Sequence, residues 1–283
     1  MIKFFIFNLL IVSQLYALDV KITWTGVAGI LIEDKETSIG IDLLFTRPSL
    51  KHWLFNAIFT SDESLVLEKI RSIPIKKINA LFASHTHFDH AVDLPFLGYH
   101  FQATLYASTS LTNLTKSYNQ LFQRNVQSIP FIAGVPITIG SFKITAFPRT
   151  HSAIIQSIQW HFLEGTIATT NGLKFYDYLA GETWNYLIEH PSGNIYFDQS
   201  GTPDQELLSK LPPIDTAVLG VANKKSIEDW IEGYGKTLKP KKIIPTHHDW
   251  FLLNFPKTPF TLWGSDIPAL KQELQKLSIS LVL

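Results

Sequence analysis

The sequence predicts a mixed α/β (α+β) fold, and three observations carry that reading. Both halves of the chain run short strand candidates first and strand–helix alternation afterwards. Glycine turns separate the opening β-runs, which marks an antiparallel start to a sheet. Histidines and aspartates fall where apolar strands hand over to loops, the place where open-faced α/β sites are built. No Ser/Pro-rich linker divides the 283 residues, so one domain is expected over 18–283.

Residues 19–33 read as two strands. Val20, Ile22 and Trp24 alternate with polar residues, Gly26 to Gly29 turns, and Ile30-Leu31-Ile32 continues. A third strand covers 37–44 and ends in Ile41-Asp42-Leu43-Leu44. Residues 61–72 are helical, with Ser61 or Asp62 as N-cap and Leu65, Leu67 and Ile70 apolar. Residues 77–84 form a strand, 91–99 a helix and 102–107 a strand. Leu111, Leu114, Tyr118, Leu121 and Phe122 recur at helical spacing within 110–124. At least two strands lie in 130–147 around Gly140-Ser141. Residues 184–189 and 194–197 make a hairpin over Pro191-Ser192-Gly193. A buried strand at 217–221, a helix at 226–235, a strand at 242–245, a helix at 268–277 and a short last strand complete the chain.

The first residues stand apart. Lys3 precedes an apolar run from Phe4 to Val12, and a more polar tail ends at Ala17, the layout of a secretory signal peptide. The run is shorter than the roughly 20 residues that span a bilayer. Cleavage after Ala17 leaves 283 − 17 = 266 residues, with net charge 23 − 24 = −1. The expectation is an exported protein, periplasmic or secreted. The chain's 24 basic and 24 acidic residues leave no excess to hold a polyanion, which argues against nucleic acid as partner. With no cysteine there is no disulfide framework, thiol nucleophile or thiolate-bound zinc.

Residues 84–90 read Ser-His-Thr-His-Phe-Asp-His. Extended chain alternates sides, so His85 and His87 share one side and can share a metal. Asp89 and His90 follow a bend and can face a second metal. His151, Asp198 and His247 also stand at strand ends. Imidazole and carboxylate donors together suit zinc, manganese or iron.

The series His85-x-His87-x-Asp89-His90, then His151, Asp198 and His247, resembles the metallo-β-lactamase-fold hydrolase superfamily from about residue 19 onward. The ending Pro245-Thr246-His247-His248-Asp249-Trp250-Phe251 is similar to the branch with ascorbate-phosphate lactonase-like and phospholipase D-like members. The resemblance implies a four-layer αββα sandwich with metals at one edge. It implies two divalent ions, zinc first and manganese or iron as alternatives. His85, His87 and His151 would hold one; Asp89, His90 and His247 the other; Asp198 would bridge. His248 would then be a neighbour of the site or surface, and Asp249 a solvated carboxylate. Val27 stands where relatives carry a histidine, and Phe197-Asp198-Gln199-Ser200-Gly201 departs from the usual Gly-Asp-Thr-Gly. His87 argues against redox di-iron chemistry, where relatives have Glu. Asp198 argues against antibiotic hydrolysis, since true β-lactamases of this fold lack it.

The implied function is metal-dependent hydrolysis of a phosphodiester, lactone or carboxylic ester in a small-molecule or lipid substrate. Asp89 and Asp198 would be catalytic beside a shared hydroxide. Asp89 would orient that nucleophile and pass its proton to the leaving group. A secreted metal-binding protein without catalysis is the alternative from another class. A lipid-directed hydrolase is a third, with residues 45–60 as a lid or membrane contact through Trp53, Phe55 and Phe59. The plainer expectation is that those aromatics pack against the core.

Overall fold

Alternating apolar residues build the first sheet in the computed structural model, which describes residues 20–73, 75–150, 164–169, 173–222, 224–251, 262 and 264–283. The expected signal segment 1–17 and His151 lie outside the described residues. Strand β1 (Lys21–Gly26) pairs antiparallel with β2 (Gly29–Glu33), and β2 with β3 (Ser38–Ile41). Strands β4 (Ala80–Phe82), β5 (Thr104–Ala107) and β6 (Ser128–Pro130) then add in parallel.

Parallel neighbours cannot be joined by tight turns and need crossovers, here helical. Helices α1 (Leu50–Phe55) and α2 (Glu63–Ser72) connect β3 to β4. Helices α3 (Phe88–Ala91) and α4 (Leu94–Phe101) connect β4 to β5, and α5 (Thr109–Phe122) connects β5 to β6. Asp62 caps α2 by accepting from the Leu65 amide at 3.1 Å, and Ser108 caps α5 by accepting from the Leu111 amide at 3.1 Å.

The second half repeats the plan. Strands β7 (Ile137–Ile139), β8 (Phe142–Arg149), β9 (Thr183–Glu189) and β10 (Ile195–Asp198) are antiparallel neighbours. Strands β11 (Thr216–Gly220), β12 (Lys242–Thr246) and β13 (Ser280–Leu281) extend the sheet in parallel. Helices α6 (Gln205–Lys210), α7 (Ile227–Trp230) and α8 (Ile267–Lys276) fill the crossovers, and α7 runs on as a π-helix through Ile231–Leu238.

Three apolar clusters define four layers. Ile30, Ile32, Ile39, Ile41 and Phe82 of the first sheet meet Phe142, Ile144, Tyr186, Ile188, Ile195, Phe197 and Val218 of the second. The alternate residues face outward: Leu31, Leu81 and Leu105 pack under the helices of the first half. Tyr196, Ala217, Leu219 and Ile243 pack under Trp230, Tyr234, Leu270 and Leu274. Period-two alternation thus feeds a shared inner core and two helix-covered faces, the expected αββα sandwich.

Residues 45–60 divide between both expectations. Phe59 is buried, and Trp53 packs 4.4 Å from the Phe175 ring, so these two belong to the core. Phe55 is 76% exposed, with Leu50, Leu54 and Ile58 exposed beside it. Among the described residues no helix is long and apolar enough to cross a membrane.

Candidate metal centre

The parallel strands of both sheets end at one edge, and the histidine motif starts there. Ser84 follows β4; its amide and hydroxyl donate to Asp42 Oδ1 and Oδ2, each at 2.6 Å. The next residues are extended, and Thr86 points away to the Leu179 and Ala180 carbonyls at 2.6 and 3.1 Å. His85 and His87 therefore share the opposite side, with His85 Nε2 3.0 Å from His87 Nδ1. His87 then stands at the N-cap position of α3, its carbonyl accepting from the His90 amide at 3.0 Å, and the first turn presents Asp89 and His90.

His247 comes from the other sheet, just after β12, with a left-handed φ of 57°. Its amide donates to the Val27 carbonyl at 2.7 Å, and the Val27 amide donates to Asp249 Oδ1 at 2.9 Å. Val27 itself has φ 51°, a strained value for a β-branched residue. The Gly26–Gly29 turn thus holds the His247 loop through its backbone. Asp249 is buried, not solvated, and His248 stacks on Trp24 with ring centroids 4.6 Å apart.

Asp89, His90 and His247 converge, with their ligand atoms all within 4.8 Å of one another. Asp89 Oδ2 lies 3.2 Å from His247 Nε2 and 3.5 Å from His90 Nε2. Tetrahedral bonds of about 2.0–2.1 Å place ligand atoms about 3.3 Å apart, so these donors fit a zinc-sized ion. His85 and His87 meet the same spacing at 3.0 Å. His90 Nδ1 is 2.8 Å from Asp42 Oδ2, which turns Nε2 towards Asp89. Sequence reading assigned Asp42 no role; the signal was its place at the end of β3.

Electrostatics agree with the donor set. Burial pushes the Asp89 carboxyl up, but His90, His247 and His87 outweigh it and hold it well below the usual carboxylate range. Burial pushes His90 down, and Asp89 and Asp42 outweigh it to raise it. The adjacent loop is clamped by Asp93, which accepts from the amides of Phe45 and Thr46 at 2.7 Å and from Thr46 Oγ1 at 2.6 Å. Arg47 follows, buried, with Asp249, Asp93 and Asp89 around it.

Asp198 sits at the end of β10 with its carboxylate on the helix side. Oδ2 accepts from Tyr234 Oη at 2.8 Å and Asn185 Nδ2 at 2.9 Å, and Oδ1 accepts from the Ser200 amide at 2.8 Å. The converging group among the described residues does not include it.

A family model described as "Beta-lactamase superfamily domain" matches residues 52–230. A "UPF0173 metal-dependent hydrolase" of Desulforamulus reducens is 25% identical over 246 residues, covering 85% of this chain and 90% of that protein. Among solved structures, the metallo hydrolase Igni18 of Ignicoccus hospitalis aligns with TM-score 0.59 at 19% identity, over 93% of this chain and 94% of that one. The metallo-beta-lactamase fold protein YhfI of Bacillus subtilis aligns with TM-score 0.55 at 13% identity, over 93% and 97%. At these identities the structural matches establish the fold.

Proposed function

The chain belongs to the beta-lactamase superfamily domain family, and from that premise we propose that it is a metal-dependent hydrolase of ester-type bonds acting at a dinuclear centre. The observation that carries the proposal is the convergence of Asp89 Oδ2, His90 Nε2 and His247 Nε2, drawn from two sheets onto one point. Asp89, His90 and His247 would hold one ion, and His85 and His87, with His151, would hold the other.

A divalent cation bound there would supply a hydroxide near neutral pH and polarise the bond under attack. The chain's own residues do the rest. Asp42 holds His90 at Nδ1 and fixes its tautomer. Asp89, held ionised by His90, His247 and His87, would orient that nucleophile, and the nucleophile's remaining proton would pass along the carboxylate to the leaving oxygen. Asp198 takes no step in this scheme, because its carboxylate is committed to Tyr234, Asn185 and the Ser200 amide.

The bond is a phosphodiester, lactone or carboxylic ester. A lipid substrate is the second reading, favoured by exposed Leu50, Leu54, Phe55 and Ile58 beside the Trp53–Phe88 contact that leads to the motif. Export to the periplasm or medium accompanies the proposal through residues 1–17. The test is elemental analysis of the purified protein, with a screen of that sample on phosphodiester, lactone and ester panels. Two ions per chain with chelator-sensitive turnover supports the hydrolase and names its bond. Absence of metal after supply of zinc and manganese defeats it.

A further inference from the structure

The face of β10 on which each residue lies separates Asp198 from the edge where the metal donors gather. Ile195 and Phe197 point into the core between the sheets, and Tyr196 points to the helices. Asp198 shares the side of Tyr196, whose hydroxyl lies 3.4 Å from Oδ2. Asn185 and Tyr234 reach the same carboxylate from β9 and the π-helix. The residue that alternation returns to the inner side is Gln199.

Gln199 is 6% exposed. Its Oε1 accepts from Thr246 Oγ1 at 2.9 Å, and Thr246 directly precedes His247. Ile244, two residues earlier on β12, belongs to the inner core, so Thr246 lies on that face as well. Gly220 lets the Gln199 backbone come close: a Cβ there would sit 3.0 Å from the Gln199 carbonyl oxygen. Gln199 Nε2 is buried and has no hydrogen-bond partner among the described residues. A buried amide with an unmet donor is costly unless something outside the protein accepts from it.

We propose that Gln199, not Asp198, is the β10-end side chain that faces the metal edge. Its Nε2 donates to an oxygen held there, and its neutrality leaves Asp89 as the single carboxylate of the converging group among the described residues. A cation pair with one carboxylate repels itself more than a pair with two. The chain therefore binds one divalent ion tightly at Asp89, His90 and His247, and a second at least about tenfold more weakly. Asp198 is instead an anchor that ties β10 to the π-helix. The inference rests on the metal-dependent reading above.

Zinc titration against a chromophoric chelator tests it, on the full chain and on Asp198→Asn, Gln199→Glu and Gln199→Leu, with far-UV circular dichroism as the check of fold. The wild type is expected to bind in two separated steps. Asp198→Asn keeps both affinities within about twofold, because it removes no ligand. Gln199→Glu tightens the weaker step about tenfold or more, because it adds a carboxylate at the same length. Gln199→Leu leaves the tight step unchanged. Loss of a zinc step in a folded Asp198→Asn overturns the proposal, as does a Gln199→Glu titration that matches wild type. If the wild type binds no zinc, the metal-dependent reading falls. The Gln199 placement is then decided separately: zinc uptake gained by Gln199→Glu upholds it, and none overturns it.

Discussion

Asp42 shows how much of a site one backbone position can carry. It is fully buried, adopts φ 52°, and receives the Ser84 amide, the Ser84 hydroxyl and His90 Nδ1. One carboxylate thereby joins the end of β3, the start of the histidine motif and the proposed ligand His90. Asp42→Asn is expected to lower zinc affinity about 10–100-fold, the usual loss when the partner of a ligating histidine is removed. A competitive titration checks this, and unchanged affinity would mean His90 is oriented without it. Asp89→Ala removes the carboxylate of the converging group and is expected to abolish the tight zinc step and turnover together, with the fold retained by circular dichroism. The histidine cluster was legible because His85, His87, Asp89 and His90 are adjacent in sequence. Asp42 was not, because its partners lie 42 and 48 residues away.

At the scale of elements, the strands were legible and their irregular joints were not. Alternation places β1, β2, β9 and β10 within a residue or two, and helical spacing places α5. The helix expected at 226–235 is α7 continued by a π-helix, whose extra residue per turn cannot be read from apolar spacing. That turn presents Tyr234 to Asp198 at 2.8 Å. Tyr234→Phe is expected to cost about 1–3 kcal/mol, because it leaves a buried acceptor short of a donor; denaturant unfolding measures it. The turn before β3 depends on Asp34, which accepts from the amides of Glu36 and Thr37 at 2.8 and 2.6 Å and from Ser141. Burial pushes Asp34 up, but these hydrogen bonds outweigh it and lower it from its ordinary 3.8. A depressed carboxylate contributes stability above its unfolded value and loses it as pH falls through the folded value. Asp34→Asn is therefore expected to melt lower than wild type at neutral pH. The gap should close as pH drops below about 3.8, which thermal unfolding at several pH values checks.

At the scale of the whole molecule, the centre draws its donors from both halves. Asp89 and His90 come from the first sheet's crossover, and His247 from the second sheet. An ion held there stabilises the folded chain by mass action, about 2.7 kcal/mol at a hundredfold excess over Kd. For a chain of this size that is a rise of about 4–5 °C in Tm, reversed by chelator. A Tm indifferent to zinc would mean that the donors do not share an ion. The sequence by itself determined the two-fold succession of strands and crossovers, the alternation along the strands, and a cluster of residue types able to bind a metal. These follow from periodicity and from local clustering, which one chain carries in its own order. Only the tertiary structure decided which donors meet. Asp89 and His247 are 158 residues apart, yet 3.2 Å separates their atoms. It also decided that Asp198 turns to the helices and Gln199 to the inner side. A shift of one residue along a strand reverses the face, and only pairing with β9 and β11 sets which residue ends β10.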